Sequence, residues 1–160
     1  MFLLKRTRAT DPDFKSLVIE LDKEFWVRYP ETQQNFEPYN KVDLTARVVV
    51  AYSKEKAVGC GCFRPMAEVG ALEIKRMYVL PESRGNGVAK LILLDLEQWG
   101  MEEGFTHARL ETGIKQPEAI AVYKKAAYIQ IPKYPPYVEV LESICMAKRL
   151  SFFSQLSDRP

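Results

Sequence analysis

Apolar and polar positions change period along the chain, and each change marks an element. Phe2 to Arg8 alternates over a short first strand. Asp11-Pro12 reads as a helix start, with Asp as N-cap and Pro in the first turn. Phe14, Leu17, Val18, Leu21, Phe25 and Trp26 recur at helical spacing, and that pattern ends before Pro30. Residues 30–44 set sparse apolars among prolines, asparagines and glutamines. They predict a loop, with room for a short helix, exposed along a substrate cleft. The β-branched run Arg47 to Tyr52 predicts a buried strand, turned by residues 53–56 into an antiparallel strand, Ala57 to Phe63. Gly59 and Gly61 weaken that strand and suggest close approach of backbone or ligand.

The next strand, Ala71 to Leu80, slips in phase. Leu72 and Ile74 share one parity, Met77 and Val79 the other, and a single β-bulge near Arg76 accounts for the slip. Pro81-Glu82-Ser83 closes this strand, and Arg84-Gly85-Asn86-Gly87-Val88-Ala89 follows. Val88, Leu91, Ile92, Leu96 and Trp99 then predict a helix from about 86 to 103, with Lys90, Glu97, Gln98 and Glu102 turned to solvent and Gly104 at C′. A strand over His107 to Thr112, a helix opened by Pro117-Glu118 and a short strand from Tyr128 to Ile131 follow. A proline loop, an ambiguous Val138-Glu-Val140 and a closing strand from Ser143 to Lys148 complete the order β-α-loop-β-β-β-α-β-α-β-β. Residues 1–150 read as one domain and residues 151–160 as a tail.

Composition narrows the class. A chain of 160 residues supports one substantial core, and a net charge of +2 without a basic run argues against nucleic acid as partner. No apolar run approaches a membrane span, and Met1-Phe-Leu-Leu lacks the longer core and cleavage site of a signal peptide. Cys60, Cys62 and Cys145, an odd set without paired spacing, suggest free thiols in a reducing, cytoplasmic setting. Cys60-Gly-Cys62 with the lone His107 is a thin donor set. Small buried side chains on a strand explain it better, so no metal is expected.

Strand, glycine turn and helix start together leave several backbone N–H groups at the positive end of a helix dipole, which is a phosphate site. The P-loop pattern fails, because Val88-Ala89 follow Gly87 in place of Lys and Ser/Thr. The dinucleotide fingerprint fails for want of a third glycine. Arg84 through Ala89 does match Arg/Gln-x-x-Gly-x-Gly/Ala, the acetyl-CoA pyrophosphate turn of the GNAT superfamily of N-acetyltransferases. Three segments carry the resemblance: Glu73 to Ala89, Leu110 to Lys125, and Ser143 to Lys148. Together they resemble a GNAT member from about Phe2 to Leu150. The fold so implied is α/β (mixed α+β), a mostly antiparallel central sheet splayed by a bulge and flanked by helices.

The resemblance implies acetyl-CoA as co-substrate and a small-molecule or protein amine as acceptor, attacked directly in a ternary complex. Main-chain groups around Met77, Tyr78 and Val79 would pair with the pantetheine arm and acetyl carbonyl. The amides of Arg84, Gly85, Asn86, Gly87, Val88 and Ala89 would hold the pyrophosphate. The bulge would splay this strand from Leu110-Glu-Thr112 and leave a V-shaped slot. Tyr123 matches the tyrosine facing the coenzyme sulfur, and Glu73 the glutamate used as base in several members. Gln116 stands where many members have Asn, and Ala127-Tyr128 where they have Gly-Phe. Small members often pair, which admits a homodimer.

The chemistry sets demands of its own. An amine of pKa about 10.4 is neutral in about one molecule in 2,500 at pH 7, a handicap of about 4.6 kcal/mol, so a base or a desolvating cleft matters. Glu73 is the candidate, or else a strand glutamate paired with Lys75 or Arg76; Glu111 is the reserve. Tyr123 is either the acid that protonates the departing thiolate or an aromatic packed between helix and sheet. Lys124 and Lys125 either meet the coenzyme's phosphates or, the favoured reading, form the wet face of their helix, and Tyr134-Pro-Pro-Tyr137 reads as a wall of the acceptor site or an ordered proline loop. A non-catalytic acyl-CoA-binding module, a sensor or a scaffold, is the alternative, and the joint presence of Glu73 and Tyr123 speaks against it.

Overall fold

Seven strands and three helices organise the computed structural model, which describes residues 1–32 and 43–152. The strands are β1 (Phe2–Arg8), β2 (Arg47–Ser53), β3 (Lys56–Pro65), β4 (Ala71–Val79), β5 (His107–Gly113), β6 (Ile129–Ile131) and β7 (Ser143–Arg149). The helices are α1 (Pro12–Arg28), α2 (Val88–Glu102) and α3 (Pro117–Lys125), with a 3₁₀ turn at Pro81–Ser83. They form one sheet in the order β1-β2-β3-β4-β5-β7-β6. Only β4 and β5 run parallel, joined through α2; the other neighbours are antiparallel. The expected element order therefore holds. Most of the cleft loop expected at 30–44, and the tail after Phe152, lie outside the described residues.

Local chemistry explains the element ends. Asp11 caps α1, its carboxylate accepting from the amides of Asp13 (2.9 Å) and Phe14 (3.3 Å). Helix α1 covers one sheet face, packing Phe14, Leu17 and Leu21 on Val48, Val50, Cys60 and Cys62. Helices α2 and α3 cover the other, where Val49, Ala51, Phe63, Leu72 and Ile74 meet Ile92, Leu93 and Leu96. Gly61 makes the second contact possible: a Cβ there would lie 2.4 Å from Met77 Sδ and 3.0 Å from Ile92. The close approach read from the β3 glycines is thus that of a helix, a methionine and, at Gly59, the backbone carbonyl of Tyr78, 3.0 Å from where a Cβ would stand.

Two side-chain placements differ from the helical periodicity. Glu97 is not turned to solvent but is 1% exposed, where Lys148 Nζ of β7 donates to both its oxygens at 3.0 and 3.1 Å and Tyr128 Oη donates at 3.4 Å. A buried carboxylate needs such partners, and they arrive from the far end of the chain. Leu91 and Trp26, counted among the inward apolars, are 39% and 45% exposed; Leu93 completes the inward stripe of α2 instead. Ala127 has φ +71 directly after α3, a left-handed C′ conformation that glycine adopts without strain.

The expected bulge is present. Cys60 pairs with Tyr78 and Cys62 with Lys75, so two steps of β3 answer three of β4. Arg76 takes up the difference with φ +58. Before it Leu72 and Ile74 face α2 and α3; after it Met77 and Val79 do. Pairing of β4 with β5 stops at Ile74–Leu110, although β4 runs to Val79 and β5 to Gly113. The two strands diverge there and open the sheet at its centre.

Candidate active site

Coming off β4, the chain turns through Gly85 (φ +80) and Gly87 (φ +79) into α2. A side chain at either glycine would be strained by the backbone, and nothing in the structure lies within 4 Å of where its Cβ would stand. No side chain caps α2. Among the described residues no acceptor bonds the amides of residues 85–90, so a cradle of main-chain donors faces open space. Asn86 closes the turn, its Nδ2 donating to the carbonyls of Ser83 and Arg84. Arg84 ties it to the sheet, its Nε donating to Val79 O at 2.9 Å, and pairs with Glu24 of α1.

From this turn a groove of about 460 Å³ runs down between β4, α2 and α3, past Met77, Tyr78 and Val79. Arg28, Arg84, Lys90 and Lys125 border it against two carboxylates, Glu24 and Glu118, which favours an anionic occupant. Lys124 is exposed and lies off the groove, as a wet helix face requires, while Lys125 is exposed on the groove's border, where the alternative of a phosphate contact put it. A second, narrower cavity of about 80 Å³ lies between α1 and the diverging ends of β4 and β5, lined by Phe25, Tyr29, Glu73, Lys75, Arg76, Glu111 and Tyr137. The two share Leu21, Met77, Gln116, Ala119 and Tyr123, so they form one slot through the opened sheet. Gln116 holds the β5–α3 corner, its Oε1 accepting from Gly113 N at 3.1 Å.

Tyr123 stands at the junction. Its ring packs edge-on to Tyr128 at 6.0 Å, and no described side chain hydrogen bonds its hydroxyl. Burial, and then the charge of Glu111, raise its pKa above the ordinary tyrosine value. Glu111 is the perturbed acid of the cavity. Burial lifts its carboxyl to about 7, against the opposing pull of Ser143 Oγ, which donates at 2.8 Å, and of Lys75. Such a group changes protonation where enzymes operate.

Glu73 shares the cavity but is 1% exposed and heavily engaged. Arg64 donates to its Oε1 through Nε (3.0 Å) and Nη2 (2.8 Å), Tyr134 Oη donates to Oε2 at 2.8 Å, and Lys75 Nζ lies 3.8 Å away. The cation expected beside it is thus Lys75 joined by Arg64, while Arg76 turns to Asp22 of α1 at 2.6 Å. Register makes Arg64 legible in retrospect, since it sits directly opposite Glu73 across β3 and β4. Tyr134 and Tyr137 pack edge-on at 5.6 Å over Cys145, so the proline loop does wall this cavity. His107 is exposed at the far end of β5, bonded to Thr106, and the three cysteines are buried and free.

Comparison with known proteins agrees with this geometry. Residues 13–128 match the family described as Acetyltransferase (GNAT) family. An IAA acetyltransferase of Azospirillum brasilense is 31% identical over 137 residues, covering 84% of this chain and 88% of that protein. A Klebsiella pneumoniae structure, provisionally described as an acyl-CoA N-acyltransferase, superposes with TM-score 0.78 at 30% identity, covering 94% of this chain and 99% of its own. The PaiA N-acetyltransferase of Thermoplasma acidophilum, solved with coenzyme A, shares the fold at TM-score 0.65 and 17% identity, over 92% and 99% of the two chains. With its profile spanning most of the domain and its bulged, splayed sheet in place, the chain belongs to the GNAT family of acetyltransferases.

Proposed function

We propose that this protein transfers the acetyl group of acetyl-CoA to a primary amine by direct attack in a ternary complex. One observation carries the reading: a groove that begins at unfilled main-chain amides joins, at Tyr123, a cavity holding a carboxyl poised near neutrality. The coenzyme fits the first compartment. Its pyrophosphate would take the amides of residues 85–89, that of Arg84 being donated to Pro81 O, and the pantetheine arm would lie along Met77, Tyr78 and Val79, where β4 has lost its β5 partner. The amine enters from the α1 side. Glu111 takes its proton, while Glu73, neutralised by Arg64 and bonded to Tyr134, shapes the pocket wall and keeps Lys75 in place. Both oxygens of Glu73 already accept hydrogen bonds, from Arg64 and from Tyr134, whereas Ser143 bonds a single oxygen of Glu111, so Glu111 is the better-placed base of the two. As the C–N bond forms and the C–S bond breaks, Tyr123 gives its proton to the sulfur. Three buried free thiols support a reducing, cytoplasmic setting. The test is release of free thiol from acetyl-CoA over a panel of amines. Turnover with at least one amine supports the enzyme; tight acetyl-CoA binding without release across the panel supports the sensor reading instead.

A further inference from the structure

The bulge in β4 has a second effect besides splaying the strand from β5. Lys75 and Arg76 are consecutive, yet both line the α1-side cavity, because the left-handed φ of Arg76 breaks the alternation of the strand. Arg76 is only 7% exposed, and one of its nitrogens, Nη2, is bonded to Asp22. Nε and Nη1 are buried without any acceptor, and these two nitrogens are the buried side-chain polar atoms without a partner among the described residues. Lys75 differs, being paired with Glu73. A buried cation with donors unmet is costly, and each such group in a native structure calls for an explanation, a bound ligand being one. The complement of a guanidinium is a planar oxyanion with two oxygens, and the small cavity limits its bearer to a small molecule.

We infer that the acceptor amine carries a carboxylate, as an amino acid does, and that Arg76 binds it. This rests on the acetyl-transfer reading of the same cavity. Arg76 is then a specificity residue created by the bulge: one backbone irregularity opens the acyl slot and places the cation that orients the acceptor. Asp22, at 44% side-chain exposure, holds the guanidinium from the solvent side.

The test compares the twenty common amino acids with their amides by thiol release from acetyl-CoA. Wild-type kcat/KM for the best amino acid should exceed that of its amide at least about tenfold, because the amide leaves the guanidinium charge unmatched. Arg76→Gln should erase that preference while still turning over the amide, and Arg76→Lys should restore some of it. Thermal melting and acetyl-CoA calorimetry on each variant separate misfolding from lost recognition. Equal wild-type rates on acid and amide overturn the inference, as does an Arg76→Gln enzyme that keeps the preference. If no amine is turned over, the acetyl-transfer reading fails separately. Calorimetry of the same acids and amides with coenzyme A present then decides this inference: selective binding of acids, lost in Arg76→Gln, upholds it, and no selectivity ends it.

Discussion

Glu111→Gln should make the protein more stable and less active at the same time. The variant keeps an oxygen to accept from Ser143 Oγ but cannot ionise. In the wild type, burial raises this carboxyl from the ordinary 4.5 to about 7. The folded protein therefore holds that proton more tightly than the unfolded chain. Its contribution to stability is fully present below pH 4.5, declines as pH rises toward 7, and stays at its lower level above that. The gap corresponds to about 3 kcal/mol, and the partial opening of the cavity to solvent trims the expectation to about 2–3 kcal/mol. Urea unfolding of both proteins at pH 5 and pH 8 measures it. The stability of Glu111→Gln relative to wild type should rise by that amount between the two pH values, while its kcat falls by about 10²–10⁴-fold. The rising limb of the wild-type pH–rate profile, near pH 7, should also disappear. Stability curves that run parallel from pH 5 to 8 would refute the buried, proton-holding carboxyl, and unchanged turnover would remove it as the base.

Other perturbations probe separate regions of the slot. Tyr123→Phe should lower kcat by about 10²-fold or more with acetyl-CoA affinity by calorimetry nearly unchanged; wild-type turnover removes it as the acid. Gly87→Val forces a β-branched residue to φ +79, at about 1–2 kcal/mol of stability, and sets a side chain in the amide cradle. Calorimetry should find acetyl-CoA binding lost, and retained affinity contradicts the turn assignment. Lys148→Met removes the cation paired with the buried Glu97 carboxylate and should cost about 3–5 kcal/mol in urea unfolding, whereas combining it with Glu97→Leu should recover most of that loss.

What the sequence disclosed, and what it hid, divides along range of interaction. The bulge was legible because a strand with one buried face must change parity at an inserted residue, and Leu72, Ile74, Met77 and Val79 record the change within eight positions. The glycine turn was legible because Gly85 and Gly87 stand where chain direction and helix start both demand left-handed backbone. Tyr123 could be placed on the inner face of α3 by helical spacing from Pro117. Glu97 was misplaced because local periodicity prices a carboxylate as a solvent residue, and its partner Lys148 lies on β7, a strand inserted between β5 and β6. The burial of Glu111 was hidden for the same reason, since its partner Ser143 of β7 and the cavity-lining Tyr137 lie far along the chain from it. Arg76 showed in the sequence as the second of two basic residues at the phase slip, but its missing acceptors appear only in three dimensions.

A crystal structure with acetyl-CoA bound tests the account most directly. The pyrophosphate should lie within hydrogen-bonding distance of the amides of residues 85–89, with the thioester between Met77 and the Tyr123 hydroxyl. A coenzyme seated in another cleft, or one whose sulfur stays remote from Tyr123, would contradict it.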